Sequence, residues 1–420
     1  MASLKRMIVW LQLLSTPGTL VLAIANPILL TFVTVLNGAL SLSYLGMTGK
    51  HSFKLLSRPA SGLLAFALVF LLLHSFLIKT EDGGPFFVGR MFVLLLCAYF
   101  PILEWGKLDE ETKHRMRLLF FGGMFLAGVY FFFKILFNHW DQKLFMSFTG
   151  IVKEMKAHYG NRPAVIFVLW IWPVLLGFRL LLLPKSRWIY GSVTLLFLMF
   201  VIGGILQTAS ETAKLALLAG SLVFVIARLS LVWVRRLLGV GIVAVLILAP
   251  ILFHGVYKKY NEEYDFLPFS AEHRLVIWSY TSDLIWQKPI LGHGLRIAHS
   301  DDLVDLNEQG EETVLELKPR KMVVRAINQH PHNMVLQIWL EFGAIGISFA
   351  IALTLMFFRF LGRLNHPLQS YALATVASFA TVGFVGYGLW QSWLLVGALW
   401  AVIAFAMLSD LKNSVGKKPG

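Results

Sequence analysis

Gln329-His330-Pro331-His332-Asn333 marks the abrupt end of a long polar interval that begins near Leu252, and the chain from Met334 to Gly346 is again apolar. The rest of the chain is hydrophobic almost from end to end: 57% of its 420 residues are apolar and only 14% are charged. Such a composition lies far outside the range of a soluble globular chain. The interval is therefore the one long loop of a polytopic membrane protein, and the reading of fold and function starts from it.

Reading outward from the loop with a window of roughly 20 apolar residues, the length that spans a bilayer, gives about twelve helices. Their approximate cores are 7–24, 27–46, 60–79, 85–105, 116–137, 163–183, 187–206, 212–228, 234–253, 332–358, 367–387 and 390–409. Lys5-Arg6, the apolar run Met7 to Leu14 and Ala23-Ile24-Ala25 have the outline of a signal peptide, but apolar residues continue past them, so a first membrane helix is expected. The breaks near Pro17 and Pro27 leave open a single re-entrant element in place of the first pair.

The formal charge of +14 does not point to nucleic acid, because Lys and Arg sit in short clusters between apolar runs, as the positive-inside rule requires. With the N-terminus inside, the inner segments carry Lys5 and Arg6; Lys50, Lys54 and Arg58; Lys107, Lys113, Arg115 and Arg117; Lys185 and Arg187; Arg228, Arg235 and Arg236; Arg359 and Arg363; and Lys412, Lys417 and Lys418. Outer turns are nearly free of them, except around 138–162, which holds Lys143, Lys153 and Lys156. This bias places both termini in the cytoplasm and residues 254–331 outside, in the periplasm of a bacterium. The expected organisation is all-α: residues 1–253 as nine transmembrane helices, 254–331 as one large helical periplasmic loop, and 332–420 as three further helices and a cytoplasmic tail. No internal repeat and no paired broken helices are visible, which counts against a transporter. The single Cys97 allows no disulfide within the chain and no thiolate metal site, and reads as a buried, inert thiol.

Within the loop, Ser270 and Glu272 suit a helix start and Pro289 with Gly292-His293-Gly294 its end, which predicts a helix over 271–287. Arg274, Trp278, Thr281 and Ile285 share one face of it. Arg274 then either snorkels or pairs with a loop acid, or turns its planar fork of donors toward a phosphate. Pro331 suits a first helical turn, which would put His332 at a helix N-terminus, where the dipole favours anions and a neutral imidazole. Such a histidine is a usable general base near pH 7 or a structural interfacial residue, and His330 competes with it. His332, Leu336, Trp339, Gly343 and Gly346 share one face of the following helix, with the glycines expected to let a neighbouring helix pack closely. Asn333, Gln337 and Glu341 form a polar stripe, and Glu341, an acid at membrane depth, should be structural or line a pocket. Trp278, Trp339 and Tyr280 suit interfacial anchoring or stacking on sugars. Glu262 and Glu263 read as solvated charge.

His332-Asn333, nine residues, Gly343, two residues and Gly346 resemble the signature of the O-antigen ligase family, whose superfamily includes O-antigen polymerases. Arg274 and Trp278, followed by Pro289-Ile290-Leu291-Gly292-His293-Gly294, look like that family's Arg-x-x-x-Trp and Pro-x-x-Gly-x-Gly. The motifs cover 270–346, and the helix layout extends the likeness to most of the chain. The resemblance implies a periplasmic-face glycosyltransferase of the Gram-negative inner membrane. It would move O-antigen from undecaprenyl diphosphate to a sugar of lipid A–core, without metal, ATP or nucleotide sugar. It assigns His332 as the base for the acceptor hydroxyl and Arg274 as a holder of the diphosphate. Asn333, Trp278 and Trp339 would then support the pocket. Many members carry Ser-Arg where this chain has Ser210-Glu211; Lys214, one turn on, either restores the positive charge or pairs with Glu211. A polymerase, or a flippase of lipid-linked glycans, is the alternative.

Overall fold

A computed structural model describes residues 2–27, 29–48, 58–80, 83–149, 160–256, 269–299, 314–317, 322–325 and 330–411. Its helices are α1 (Ala2–Ala25), α2 (Leu29–Thr48), α3 (Arg58–Leu77), α4 (Pro85–Trp105), α5 (Glu110–Leu136), α6 (Trp140–Thr149), α7 (Asn161–Leu182), α8 (Arg187–Gln207), α9 (Glu211–Leu229), α10 (Leu231–Phe253), α11 (Phe269–Gln287), α12 (Met334–Leu361), α13 (His366–Val385) and α14 (Ser392–Leu408). Each apolar stretch expected to span the bilayer is helical, α11 matches the loop helix expected over 271–287, and α6 is an addition between spans. Among the described residues nine helices are long and apolar enough to cross a membrane, and α3 and α14 hold shorter apolar stretches. The chain is a multi-pass membrane protein. α1 continues through Pro17 and ends at Ala25, so α1 and α2 are two helices and not one re-entrant element.

The loop departs from the all-helical expectation in one place, where β1 (Val314–Leu317) pairs antiparallel with β2 (Met322–Arg325). Lys258, Lys259, Glu262, Glu263, Asp265 and most of the acidic run from Asp301 lie outside the described residues. α11 starts at Phe269, so Ser270 falls inside the helix and not at its cap.

α7 is apolar all round, and Pro163 to Val174 are all buried, as befits a helix at the centre of a bundle. The helices around it are joined to it by hydrogen bonds that have no competing water at this depth. Trp170 donates to the Gly397 carbonyl at 2.8 Å. Trp172 donates to Ser378 at 3.1 Å, and Ser378 donates to the Ala216 carbonyl at 3.0 Å. This relay ties α7, α13 and α9 together. At the end remote from the loop, Asp410 gathers Arg117, Lys113 and the Trp105 indole N–H.

α12 breaks at Gly343, whose φ of 59° and ψ of −152° lie outside helical space. The break frees two carbonyls and two N–H groups, and the segment after α11 replaces each lost partner. His293 N–H donates to the Leu340 carbonyl at 2.7 Å and Gly294 N–H to that of Glu341 at 3.1 Å, while Ala344 and Ile345 donate to the Pro289 and Ile290 carbonyls at 2.8 and 3.3 Å. A Cβ on Gly343 would collide with the Ile290 carbonyl, and one on Gly292 with the Glu341 carbonyl. Gly292 also has a positive φ of 72°. The glycines of both motifs therefore build a backbone clasp. Gly346 faces Phe342 and Ile338 of its own helix, so neither α12 glycine admits a neighbouring helix as expected. The reason is that the broken ladder must be re-satisfied locally in a medium without water.

Beside the clasp, Glu341 is fully buried. Its carboxylate accepts from Gln337 and from the Trp390 indole, each at 2.7 Å, and Gln337 in turn accepts the Leu389 N–H at 2.7 Å. The acid is structural: it fixes the connection between α13 and α14 against α12.

Candidate functional site

The polar loop ends in a turn that is held from four sides. α12 begins at Met334, with Asn333 as its N-cap accepting from Val335 and Leu336 N–H at 2.9 and 3.1 Å. Pro331 and His332 thus precede the helix, contrary to the expectation that Pro331 occupies its first turn. His332 has a left-handed backbone, with φ 52°, a conformation that no helix continues from and that a residue with Cβ adopts only under local constraint. The constraints are visible. The His332 N–H donates to His330 Nδ1 at 3.1 Å, and Trp278 of α11 donates its indole N–H to the Pro331 carbonyl at 3.0 Å. Asn333→Ala removes the acceptor of two N–H groups and is expected to cost about 1 to 2 kcal/mol. Thermal unfolding in detergent and faster amide exchange at Val335 and Leu336 would register the loss.

His332 Nδ1 lies 3.0 Å from the Gly386 carbonyl. Only a protonated Nδ1 can bond to a carbonyl, so the neutral ring carries its hydrogen there and leaves the Nε2 lone pair free. Burial holds the imidazole below its usual pKa, and nearby Arg274 acts in the same direction, against the Gly386 bond. His332 is therefore neutral near pH 7, with its basic nitrogen fixed by a backbone carbonyl. His330, the competing histidine, is buried, packs edge to face on His332 with ring centres 4.3 Å apart, and has its Nε2 2.7 Å from the Gln391 amide. Both its nitrogens are engaged in positioning.

Arg274 sits half-buried on α11, acting electrostatically on His332 and on Tyr387. His273, its neighbour, is held below the usual imidazole value by burial and then by His332 and Arg274. Trp278 is buried with its N–H committed to Pro331, and Trp339 donates its own to the Leu246 carbonyl at 2.8 Å. Both indoles brace the site: Trp278 joins α11 to the His332 turn, and Trp339 joins α12 to α10. Lys214 pairs with Glu211 at 2.9 Å, the second of its two readings.

Two contributors come from outside the motifs. The α13–α14 connection supplies Gly386, which anchors His332, and Tyr387, whose phenol burial holds above its usual pKa, with Arg162, Ser210 and Arg274 acting in the opposite direction. Arg162, exposed at the start of α7, has Cζ 5.8 Å from the Trp393 ring centre and acts electrostatically on Tyr387. The only sequence signal for Arg162 was the unusual positive charge of the segment 138–162, which broke the bias of the other outer turns. Among the described residues no group of His, Cys, Asp and Glu could hold a metal ion.

Residues 194–351 match a family model described as O-antigen ligase. The "Putative polysaccharide ligase" of Rickettsia bellii is 24% identical over 377 residues, which cover 88% of this chain and 85% of that protein. The "Putative polysaccharide ligase RP358" of Rickettsia prowazekii is 25% identical over 218 residues, 50% of this chain and 51% of its own length. The corresponding RC0486 protein of Rickettsia conorii is 26% identical over 191 residues, 45% of this chain and 44% of its own length. The chain thus spans about half the length of the last two relatives.

Proposed function

From the match of residues 194–351 to the O-antigen ligase family, we propose that this chain is a glycosyltransferase that moves a glycan from a polyprenyl diphosphate, undecaprenyl diphosphate carrying O-antigen, to a sugar hydroxyl of lipid A–core. The observation that carries the reading is the fixed tautomer of His332, with Nδ1–H on the Gly386 carbonyl and Nε2 unencumbered beside Arg274.

In the proposed reaction the acceptor hydroxyl attacks the anomeric carbon of the glycan and gives its proton to His332 Nε2. The bond from that carbon to the diphosphate oxygen breaks, and the diphosphate leaves with both electrons. Its growing negative charge falls on the Arg274 guanidinium, a fixed cation in a partly desolvated site. The leaving group is already activated, so the chemistry asked of the protein is alignment of two lipid-anchored substrates, charge stabilisation and one proton transfer. The proposed acceptor face is periplasmic and the membrane the inner one, since the site lies at the end of the bundle away from Arg117, Arg187, Arg228, Arg235, Arg359 and Arg363. Asn333, Trp278 and Trp339 hold the pocket, and the clasp at Gly343 fixes α12 under it.

Arg274→Ala is expected to lower kcat/KM for transfer by about 10²- to 10³-fold, as loss of one preorganised donor to a developing oxyanion does. Arg274→Lys should recover only part of this, because the ammonium cannot reproduce the planar fork. Expression in a Gram-negative strain without its own ligase tests the reading in cells. Glycan attached to lipid A–core supports it; longer lipid-linked glycan with bare lipid A–core makes the chain a polymerase, and neither product returns transport to the front.

A further inference from the structure

We propose that the groove between α2 and α4, with Arg90 at its rim and Trp390 at its head, seats the lipid-anchored acceptor, whose acyl chains lie along the groove while a headgroup phosphate meets Arg90. The identity of the lipid rests on the function proposed above; the chemistry of the seat rests on the following geometry.

The start of α4 lies at the loop end of the bundle. His74 Nε2 of α3 is 2.8 Å from the Leu291 carbonyl, and Leu291 lies within the segment that clasps α12. From that end, Phe86, Gly89, Arg90 and Val93 follow one another at helical spacing along one face of α4. With Thr31 of α2 and Trp390 they line a groove of about 580 Å³, a size that admits a ligand. Its apolar walls include Phe86, Val93 and Val35, all exposed. The groove therefore opens sideways to lipid.

The polar groups of the groove sit at its outer end. Arg90 and Arg296 both place Cζ over the Phe87 ring, at 5.1 and 4.7 Å from its centre. Among the described residues no carboxylate pairs with Arg90, whereas Lys113, Arg115, Arg117, Lys134 and Lys214 each have one. Arg90 lies in the second turn of a spanning helix, from which its guanidinium reaches headgroup depth. The Thr31 hydroxyl has no hydrogen-bond partner among the described residues, although Thr34 on the same helix donates to the Leu30 carbonyl at 2.8 Å. A cation and an unpaired hydroxyl above apolar walls suit an amphiphile with an anionic head and acyl chains. A free phosphate would use the rim alone and leave the walls without a partner.

The head of the groove leads to the proposed base. Phe87 meets Trp390 edge to face with ring centres 5.4 Å apart, and the Trp390 indole N–H is fixed on Glu341 at 2.7 Å. The next residue, Gln391, has its amide 2.7 Å from His330 Nε2, and the His330 ring centre is 4.3 Å from that of His332. A glycolipid held by its phosphate at Arg90 presents its sugars toward the His332 turn. An acceptor needs that placement, and a bulk lipid does not.

The test uses the full-length protein in detergent, with lipid A, dephosphorylated lipid A and phosphatidylglycerol as probes and bound lipid measured by native mass spectrometry. Arg90→Ala should bind lipid A about tenfold or more weakly than wild type, with Arg90→Lys intermediate, as loss of one charge-assisted contact implies. Dephosphorylated lipid A should bind wild type and Arg90→Ala alike. Gly89→Leu, at a position where a Cβ meets nothing within 4 Å, should fill the groove and weaken both forms of lipid A without lowering thermal stability. In the transfer assay Arg90→Ala should raise the KM for lipid A–core and leave the donor KM unmoved. Unchanged lipid A affinity in Arg90→Ala, no binding by wild type, or phosphatidylglycerol bound as tightly with the same dependence on Arg90 overturns the acceptor seat. Transfer by Arg90→Ala with an unmoved acceptor KM would sink the seat and leave the ligase reading standing. Lipid A binding that depends on Arg90 in a protein that transfers no glycan would do the reverse.

Discussion

Replacement of His332 by alanine is expected to reduce glycan transfer by about 10²- to 10⁴-fold, the range that a positioned general base contributes. The protein should remain folded, because the cap of α12 is made by Asn333 and the turn is still tied through the Pro331 carbonyl to Trp278. The same residue sets an expected pH profile. The active form is neutral imidazole, and its pKa lies below the ordinary value because burial, aided by Arg274, disfavours the charged ring. Activity should therefore hold as pH falls to about 6.5, the unperturbed value, and drop only below it. Arg274→Ala removes the cation and should move that acid limb upward, toward the ordinary value, in whatever activity remains. A profile of kcat/KM against pH for both proteins checks this; an acid limb at or above the ordinary histidine value in wild type would contradict the assigned protonation state.

The second large effect is structural. Gly343→Ala should destabilise the protein by about 3 kcal/mol or more, because it combines a left-handed backbone that a Cβ disfavours with a collision at a backbone carbonyl. The Ile290 carbonyl cannot retreat cheaply, since it accepts from Ile345 within the four-bond clasp. Breaking the clasp leaves polar backbone groups without partners at membrane depth, where each costs several kcal/mol. Gly89→Ala, at a position where a Cβ meets nothing within 4 Å, is the control. A fall in thermal stability in detergent, with faster exchange of the Ala344 and Ile345 amides, is the expected result. A Gly343→Ala protein as stable as Gly89→Ala would show that the clasp contributes little.

The helices and the site differ in how far they could be read before the structure. A membrane span is a property of one uninterrupted apolar run, so hydropathy alone placed the nine helices among the described residues that are long and apolar enough to cross a membrane, while α6 and the β1–β2 ribbon, which are not apolar runs, went unread. Arg274, Trp278, His332 and Asn333 were legible as candidates because they lie within one motif-bearing stretch. Their partners were not, because these come from elsewhere in the chain: Gly386 and Tyr387 follow α13, and Arg162 lies in the first turn of α7. The glycines illustrate the same limit. Gly292 and Gly343 were visible, but their purpose depends on the segment 289–294 lying against the break in α12, a pairing that no local pattern encodes. Lys214 pairs with Glu211, one turn away, which is the second of the two readings that its sequence context left open. Trp278 and Trp339 spend their polar ends on backbone carbonyls, which makes them braces for the turn and for α10.

The central claim is that His332 deprotonates an acceptor hydroxyl while Arg274 receives the departing diphosphate. Purified protein reconstituted with undecaprenyl-diphosphate glycan and lipid A–core, in the presence of a chelator and without nucleotide, tests it most directly. The account predicts slower-migrating lipopolysaccharide from wild type and next to none from His332→Ala or Arg274→Ala. Undiminished product from His332→Ala, or no product from wild type under conditions where an active ligase works, would contradict it.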